Sequence, residues 1–243
     1  MRSLIAAFRF LTRLPVMGPD TRAEDLASAV GWFPLVGGVV GLLTALVFAG
    51  CLRFWTAPVA SILAVAFSLL LTGGFHEDGF TDATDGLGGG FTRERVLEIM
   101  KDSRIGAYGS MALWCILMLR WAALAQMGRQ ALWLLPLAMI LGRASIAWML
   151  RLLPSISQGL AKEVHRNLGL GPFIAANGWI LLAGILAWHF RVAHPGRILL
   201  SAAGMLALWV VYLRHRMGGH SGDLLGAGNQ LVESAVLLAM LAR

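Results

Sequence analysis

Seven apolar stretches, near 28–50, 56–75, 107–127, 131–150, 174–190, 197–213 and 229–242, decide most of what this chain can become. A helix rises about 1.5 Å per residue, so roughly 17–25 apolar residues carry it across the hydrocarbon of a bilayer. All but the last stretch reach that length. No water is present there to pair with backbone N–H and C=O groups, so each stretch is expected to be helical. The predicted fold is all-α: a polytopic integral membrane protein of about seven transmembrane helices, one domain over 1–243. Composition agrees, with 58% hydrophobic and 14% charged residues, where a soluble domain carries about 25% charged.

The net charge of +7 would suggest nucleic acid in a soluble protein. Here the basic residues stand singly between apolar stretches, as topology signals do, which excludes nucleic acid and leaves the lipid bilayer as the partner. Cys51 and Cys115 are isolated and form no metal spacing. The N-terminal MRSLIAAFRFLTRLP lacks a cleavage site and reads as a short interfacial helix, with Phe8 and Leu11 toward lipid and Arg9 and Arg13 toward phosphates. With the N-terminus in the cytoplasm, Lys and Arg gather on that side. Arg120 and Arg243 fall among the fewer on the opposite side. Gly37 and Gly41 form a GxxxG pair suited to a close helix contact.

The polar segment that most needs explaining is Gly73 to Gly109, on the cytoplasmic side in this arrangement. Glu77, Asp78, Asp82 and Asp85 follow an apolar stretch directly. On a continuing helix, Asp78, Asp82 and Asp85 fall at i, i+4 and i+7, on one face, with Glu77 within reach. Carboxylates so placed repel one another unless a cation lies between them. An oxygen-only set favours a hard ion such as Mg²⁺ over zinc. Glu77, Asp78, Asp82 and Asp85 are therefore the expected metal ligands. Asp82, Asp85, Glu77 and the preceding His76 are the catalytic candidates, with His76 as a base, a ligand or simply an interfacial residue.

Gly88, Gly89 and Gly90 free the backbone to approach an anion, or simply to turn. Lys101, Asp102, Ser103 and Arg104 stand on the polar side of the next amphipathic segment, suited either to phosphate or to solvent. Arg143 lies within a span, where an unpaired charge is costly and is expected to face a polar cavity and bind phosphate. Asp223 is placed to close the metal site from another helix or to bind substrate. Glu233 is expected to have a functional or pairing role. For Lys162, Glu163, His165 and Arg166 a plain loop and a nucleotide contact are equally compatible.

Five motifs then carry a resemblance through nearly the whole chain: FLTRLPV at 10–16, FPLVGG at 33–38, GGFHEDGFTDATDGLGGG at 73–90, LEIMKDSRIGAYG at 97–109 and GGHSGDLLGA at 218–227. The chain resembles the adenosylcobinamide-GDP ribazoletransferases, or cobalamin synthases. Ser221 stands where threonine is expected and keeps the hydroxyl. The resemblance implies transfer from adenosylcobinamide-GDP to α-ribazole or α-ribazole 5′-phosphate. The products are adenosylcobalamin or its 5′-phosphate and GMP, with Mg²⁺ as cofactor, in a bacterial inner membrane. It implies the ribose 5′ oxygen as nucleophile, His220 and Asp223 as substrate contacts, and leaves homo-oligomerisation open. Two other activities fit the acids less well. The CDP-alcohol phosphotransferases share DxxDG, but their following Ala-Arg and second Asp pair are missing. A divalent-metal transporter would spread its acids over mid-span positions.

Overall fold

A bilayer leaves the backbone to satisfy itself, and this chain does so with helices. The computed structural model describes residues 1–242, without the side chain of Ala23; Arg243, assigned above to the far side, lies outside the described residues. Among the described residues the only extended pairing is an isolated bridge between Ser155 and His220. Helices α1 (Arg2–Leu11) and α2 (Ala23–Ala29) lead into α3 (Phe33–Cys51), which returns as α4 (Ala57–Thr72). The acidic segment is α5 (Phe75–Gly89), followed by the short α6 (Arg93–Ile99). Helices α7 (Ala107–Met127) and α8 (Ala131–Leu152) come next, then α9 (Leu160–Asn167), α10 (Leu170–His189), α11 (Pro195–Arg216) and α12 (Gly222–Leu241).

Five segments are long and apolar enough to cross a membrane, or six if α4 and α5 count as one bent span. One of the five, Ala107–Leu152, runs for 46 residues and contains both α7 and α8, parted by a 3-10 turn over Gly128–Gln130. Against the expected seven, α4 is the short one at 16 residues. The last span is longer than expected, 20 residues from Gly222, because the Ser221 hydroxyl accepts the Leu224 N–H at 3.3 Å and starts the helix early.

Helix α8 is the centre of the bundle, packed on α3, α12, α10 and α11. Gly37 and Gly41 make the expected close contact: a Cβ on Gly41 would lie 2.7 Å from Cα of Pro136, and one on Gly37 would lie 2.9 Å from Cδ of Arg143. Rising numbers on α3 meet falling numbers on α8, so the two run antiparallel. The N-terminal helix departs from expectation. Ala6, Ala7 and Leu11 are buried against the protein, and Arg9 is spent on the carbonyls of Val16, Pro19 and Gly18 at 2.7–2.9 Å.

Helices α4 and α5 meet at 90°. Gly73 and Gly74 sit between them with φ of 70° and 66°, a left-handed region in which a Cβ is strained. Two such residues in succession end one helix and start another in a new direction. Nothing lies within 4 Å of a Cβ built on Gly74, so Gly74→Ala is expected to cost only the backbone strain, about 1–2 kcal/mol. Gly73→Ala should cost more, because Arg13 lies where its methyl would go. Thermal unfolding in detergent should rank the two in that order.

Candidate active site

Helix α5 divides its four acids between two tasks. Near its end it packs on the start of α7, and the two oxygens of Asp85 accept the N–H groups of Gly106 at 2.7 Å and Gly109 at 2.8 Å. A carboxylate there pairs otherwise orphaned donors and meets the positive end of the α7 dipole. Both glycines are required, since a Cβ on either would collide with that carboxylate.

Glu77 turns into the core. Its Oε1 accepts Arg120 Nη1 at 2.8 Å and Gln230 Nε2 at 3.2 Å. Arg120 also donates to Gln230 Oε1 at 2.6 Å and lies 3.3 Å from Glu233 Oε1. Glu233 Oε2 accepts from Arg143. Two cations and two anions thus alternate across α5, α7, α12 and α8, all of them buried. The network is electrically neutral, which is what allows charged groups to remain away from water.

Three expectations are corrected by these contacts. Asp85 has both oxygens, and Glu77 its Oε1, committed to protein donors, so the four acids do not form the single ligand set expected. Arg143 is paired with Glu233 and is not free to bind phosphate. Arg120, counted above as a topology charge, lies inside the bundle.

Asp78 and Asp82 on α5 and Asp223 in the first turn of α12 remain. Among the described residues none of them has a cationic partner. Their helices approach at Gly79, where a Cβ would lie 3.1 Å from Cα of Asp223. Asp78 and Asp223 line a cavity of about 410 Å³ together with His76, Lys101 and Ser221, within the usual range for a small-molecule site. Among the described residues no three His, Cys, Asp or Glu side chains converge as a ready metal cage. Mg²⁺ usually takes one or two carboxylates and completes its shell with water and substrate phosphate. The unpaired, oxygen-only set of Asp78, Asp82 and Asp223 fits that ion; it does not fit zinc.

The other expected site residues are distributed as follows. Lys101 is on the cavity wall. Arg104 grips Asp102 through Nε at 3.0 Å and Nη2 at 2.6 Å, beside exposed Ser103. That guanidinium holds the Asp102 carboxyl down at about 2. His220 is completely buried; burial, then the facing His165, push its imidazole down to about 4. Its backbone N–H donates to Pro154 O and its carbonyl accepts Ile156 N–H, both at 2.9 Å. His220 therefore fixes the entrance to α12 and lies behind the cavity wall. His165 donates to Leu150 O at 2.9 Å, while Lys162, Glu163 and Arg166 are exposed.

The glycine run is held in place as well. Arg216 donates to the carbonyls of Phe91, at 2.7 Å, and Gly90, and Gly88 lies beneath the Tyr108 ring. Reading the sequence alone missed Arg120, Gln230 and Arg216. The available signal was Arg120 seven residues inside an apolar stretch, and Gln230 and Glu233 three apart on one helix.

Apolar helices around a carboxylate-bearing cavity define the class, a multi-pass membrane protein with a small-molecule site between its helices. The chain belongs to the cobalamin-5-phosphate synthase family, whose model matches residues 3–241. It is 40% identical over 252 residues to an adenosylcobinamide-GDP ribazoletransferase of Leptothrix cholodnii, covering 99% of this chain and 95% of that one. A protein of the same description from Bradyrhizobium diazoefficiens is 40% identical over 254 residues, covering 100% and 95%. One from Chlorobaculum tepidum is 36% identical over 244 residues, covering 98% and 94%. No solved structure matches the chain.

Proposed function

We propose that this chain joins adenosylcobinamide-GDP to α-ribazole or its 5′-phosphate, releasing GMP, at the cytoplasmic face of a bacterial inner membrane. The observation that carries the reading is the trio Asp78, Asp82 and Asp223, without cationic partners among the described residues, with Asp78 and Asp223 on the wall of a cavity in a chain of this family. A hydroxyl of the acceptor ribose attacks the cobinamide-side phosphorus, a P–O bond forms, and the bond to the GMP phosphate breaks. The 5′ oxygen expected above is ruled out for the phosphorylated acceptor, because a product that keeps its 5′-phosphate has that oxygen occupied. The nucleophile is then a secondary hydroxyl. Its proton passes to one of the three aspartates. Lys101 adds a point charge for the phosphates. Mg²⁺ held by one or two of Asp78, Asp82 and Asp223, with the substrate phosphates, would supply neutralisation of the diphosphate and of the departing GMP.

Membranes containing the purified chain, given the GDP-activated corrinoid, α-ribazole and Mg²⁺, should release GMP and form the joined corrinoid. Omitting the acceptor or chelating the metal should stop both. GMP release that survives chelation would remove Mg²⁺ from the scheme. A lipid product from CDP-diacylglycerol, with no corrinoid joined, would replace the scheme altogether.

A further inference from the structure

The cavity has an aromatic wall that the transfer chemistry leaves unused. Phe10, Phe33, Phe75 and His76 come from three separate helices, and all four line it. Phe10 stacks on Phe33 with centroids 5.8 Å apart and planes 14° apart. Phe75 meets Phe10 edge-on at 5.0 Å, and His76 meets Phe75 at 5.4 Å and 65°. His76 is only 2% exposed, yet neither ring nitrogen has a partner among the described residues. A buried imidazole in that condition is costly unless something else fills its hydrogen bond. Of the cavity's polar side chains, His76 and Ser221 are the buried ones, and the Ser221 hydroxyl already accepts from α12.

Three phenyl rings and one imidazole suit a particular ligand chemistry. Aromatic faces hold a planar ring without reading its edge. A neutral imidazole offers one N–H donor. The complement is a flat, mostly apolar bicyclic base with a single acceptor nitrogen. Guanine, the base of the donor nucleotide, carries several donors and acceptors along its edges. Burying it here would leave most of them unpaired, which sites reject strongly. A corrinoid macrocycle far exceeds a cavity of about 410 Å³. A benzimidazole nucleoside, whose glycosylated base retains one imine nitrogen, meets each requirement.

We infer that Phe10, Phe33, Phe75 and His76 form the seat for the base of the acceptor nucleoside, with the His76 N–H donating to its free ring nitrogen. The inference rests on the transfer reaction proposed above. It takes His76 away from proton transfer and makes it a residue that selects the acceptor. Asp78, two residues further along α5, then stands close to the nucleoside's ribose.

The test varies both substrates over the full-length chain in membranes, with equilibrium binding of α-ribazole measured in the absence of donor. In Phe10→Leu, Phe75→Leu and His76→Phe, the KM and Kd for α-ribazole should rise about tenfold or more, as loss of one aromatic or hydrogen-bonding contact to a base does. The KM for the GDP-activated corrinoid, and kcat at saturating acceptor, should stay within about twofold. The matching indole nucleoside lacks the acceptor nitrogen. Wild type should bind it about as weakly as His76→Phe binds α-ribazole, and His76→Phe should bind the two nucleosides alike. That comparison holds even if a variant is partly misfolded.

A rise in the corrinoid KM instead would move the seat to guanine and overturn the inference. A fall in kcat of His76→Phe at saturating α-ribazole would return His76 to proton transfer and overturn it too. Unchanged KM values in an active protein sink the seat alone. A wild-type chain that neither releases GMP nor binds α-ribazole sinks the transfer reading and the seat together.

Discussion

Asp82→Asn and Asp223→Asn are expected to lose transfer by at least about 10²–10³-fold in kcat, the scale of losing one preorganised electrostatic contact, while the folded protein remains as stable as wild type. Asparagine keeps the shape and removes the charge. Neither aspartate has a cationic partner among the described residues, so no ion pair seen there is broken, and one like charge fewer beside Asp78 relieves repulsion. Asp85→Asn should behave in the opposite sense. Its carboxylate accepts two backbone N–H groups at 2.7 and 2.8 Å, and an amide has one oxygen for them. The other end of the amide would point a donor at a donor, costing about 1–3 kcal/mol of stability. GMP release and thermal unfolding measured on the same three preparations separate the two roles. Wild-type GMP release from Asp82→Asn and Asp223→Asn would end the assignment of a metal or a proton to these acids.

The second large effect belongs to the buried network. Glu233→Leu leaves Arg143 without a counter-charge, and breaking a buried pair in this way costs about 3–5 kcal/mol. Much of the variant should fail to accumulate in the membrane. Combining it with Arg143→Met removes one cation and one anion together. Glu77 and Arg120, 2.8 Å apart, then remain as a balanced pair. The double variant should recover most of the loss, so the two single changes are strongly non-additive. Stabilities that simply add would mean that Arg143 and Glu233 do not depend on each other.

Several features of this fold were legible in the residues, for reasons that can be named. Apolar length locates the helices because the bilayer imposes length directly. The ends were harder. The early stop of α4 depends on two left-handed glycines, and the early start of α12 on a serine cap; neither changes hydropathy. Helical spacing put Asp78, Asp82 and Asp85 on one face, but spacing does not reveal what each carboxylate meets. Asp85 finds its donors 21 and 24 residues away, and Glu77 finds Arg120 at a separation of 43. Distant partners of that kind follow from how helices pack. The single arginine in α7 looked like a topology signal because a charge near the end of a span and a paired charge inside one look alike in one dimension.

The ion network also bears on how the chain is made. Helices enter the bilayer in the order of synthesis. Arg120 arrives with α7, when Glu77 is already in place to receive it. Arg143 follows in α8, but its partner Glu233 comes only with the final helix. Until α12 emerges, the nascent protein holds one arginine with nothing to offset it in a medium that penalises isolated charge. The last helix therefore acts as the latch of assembly. A chain truncated before it exposes an unsatisfied cation by which quality control can recognise an unfinished product.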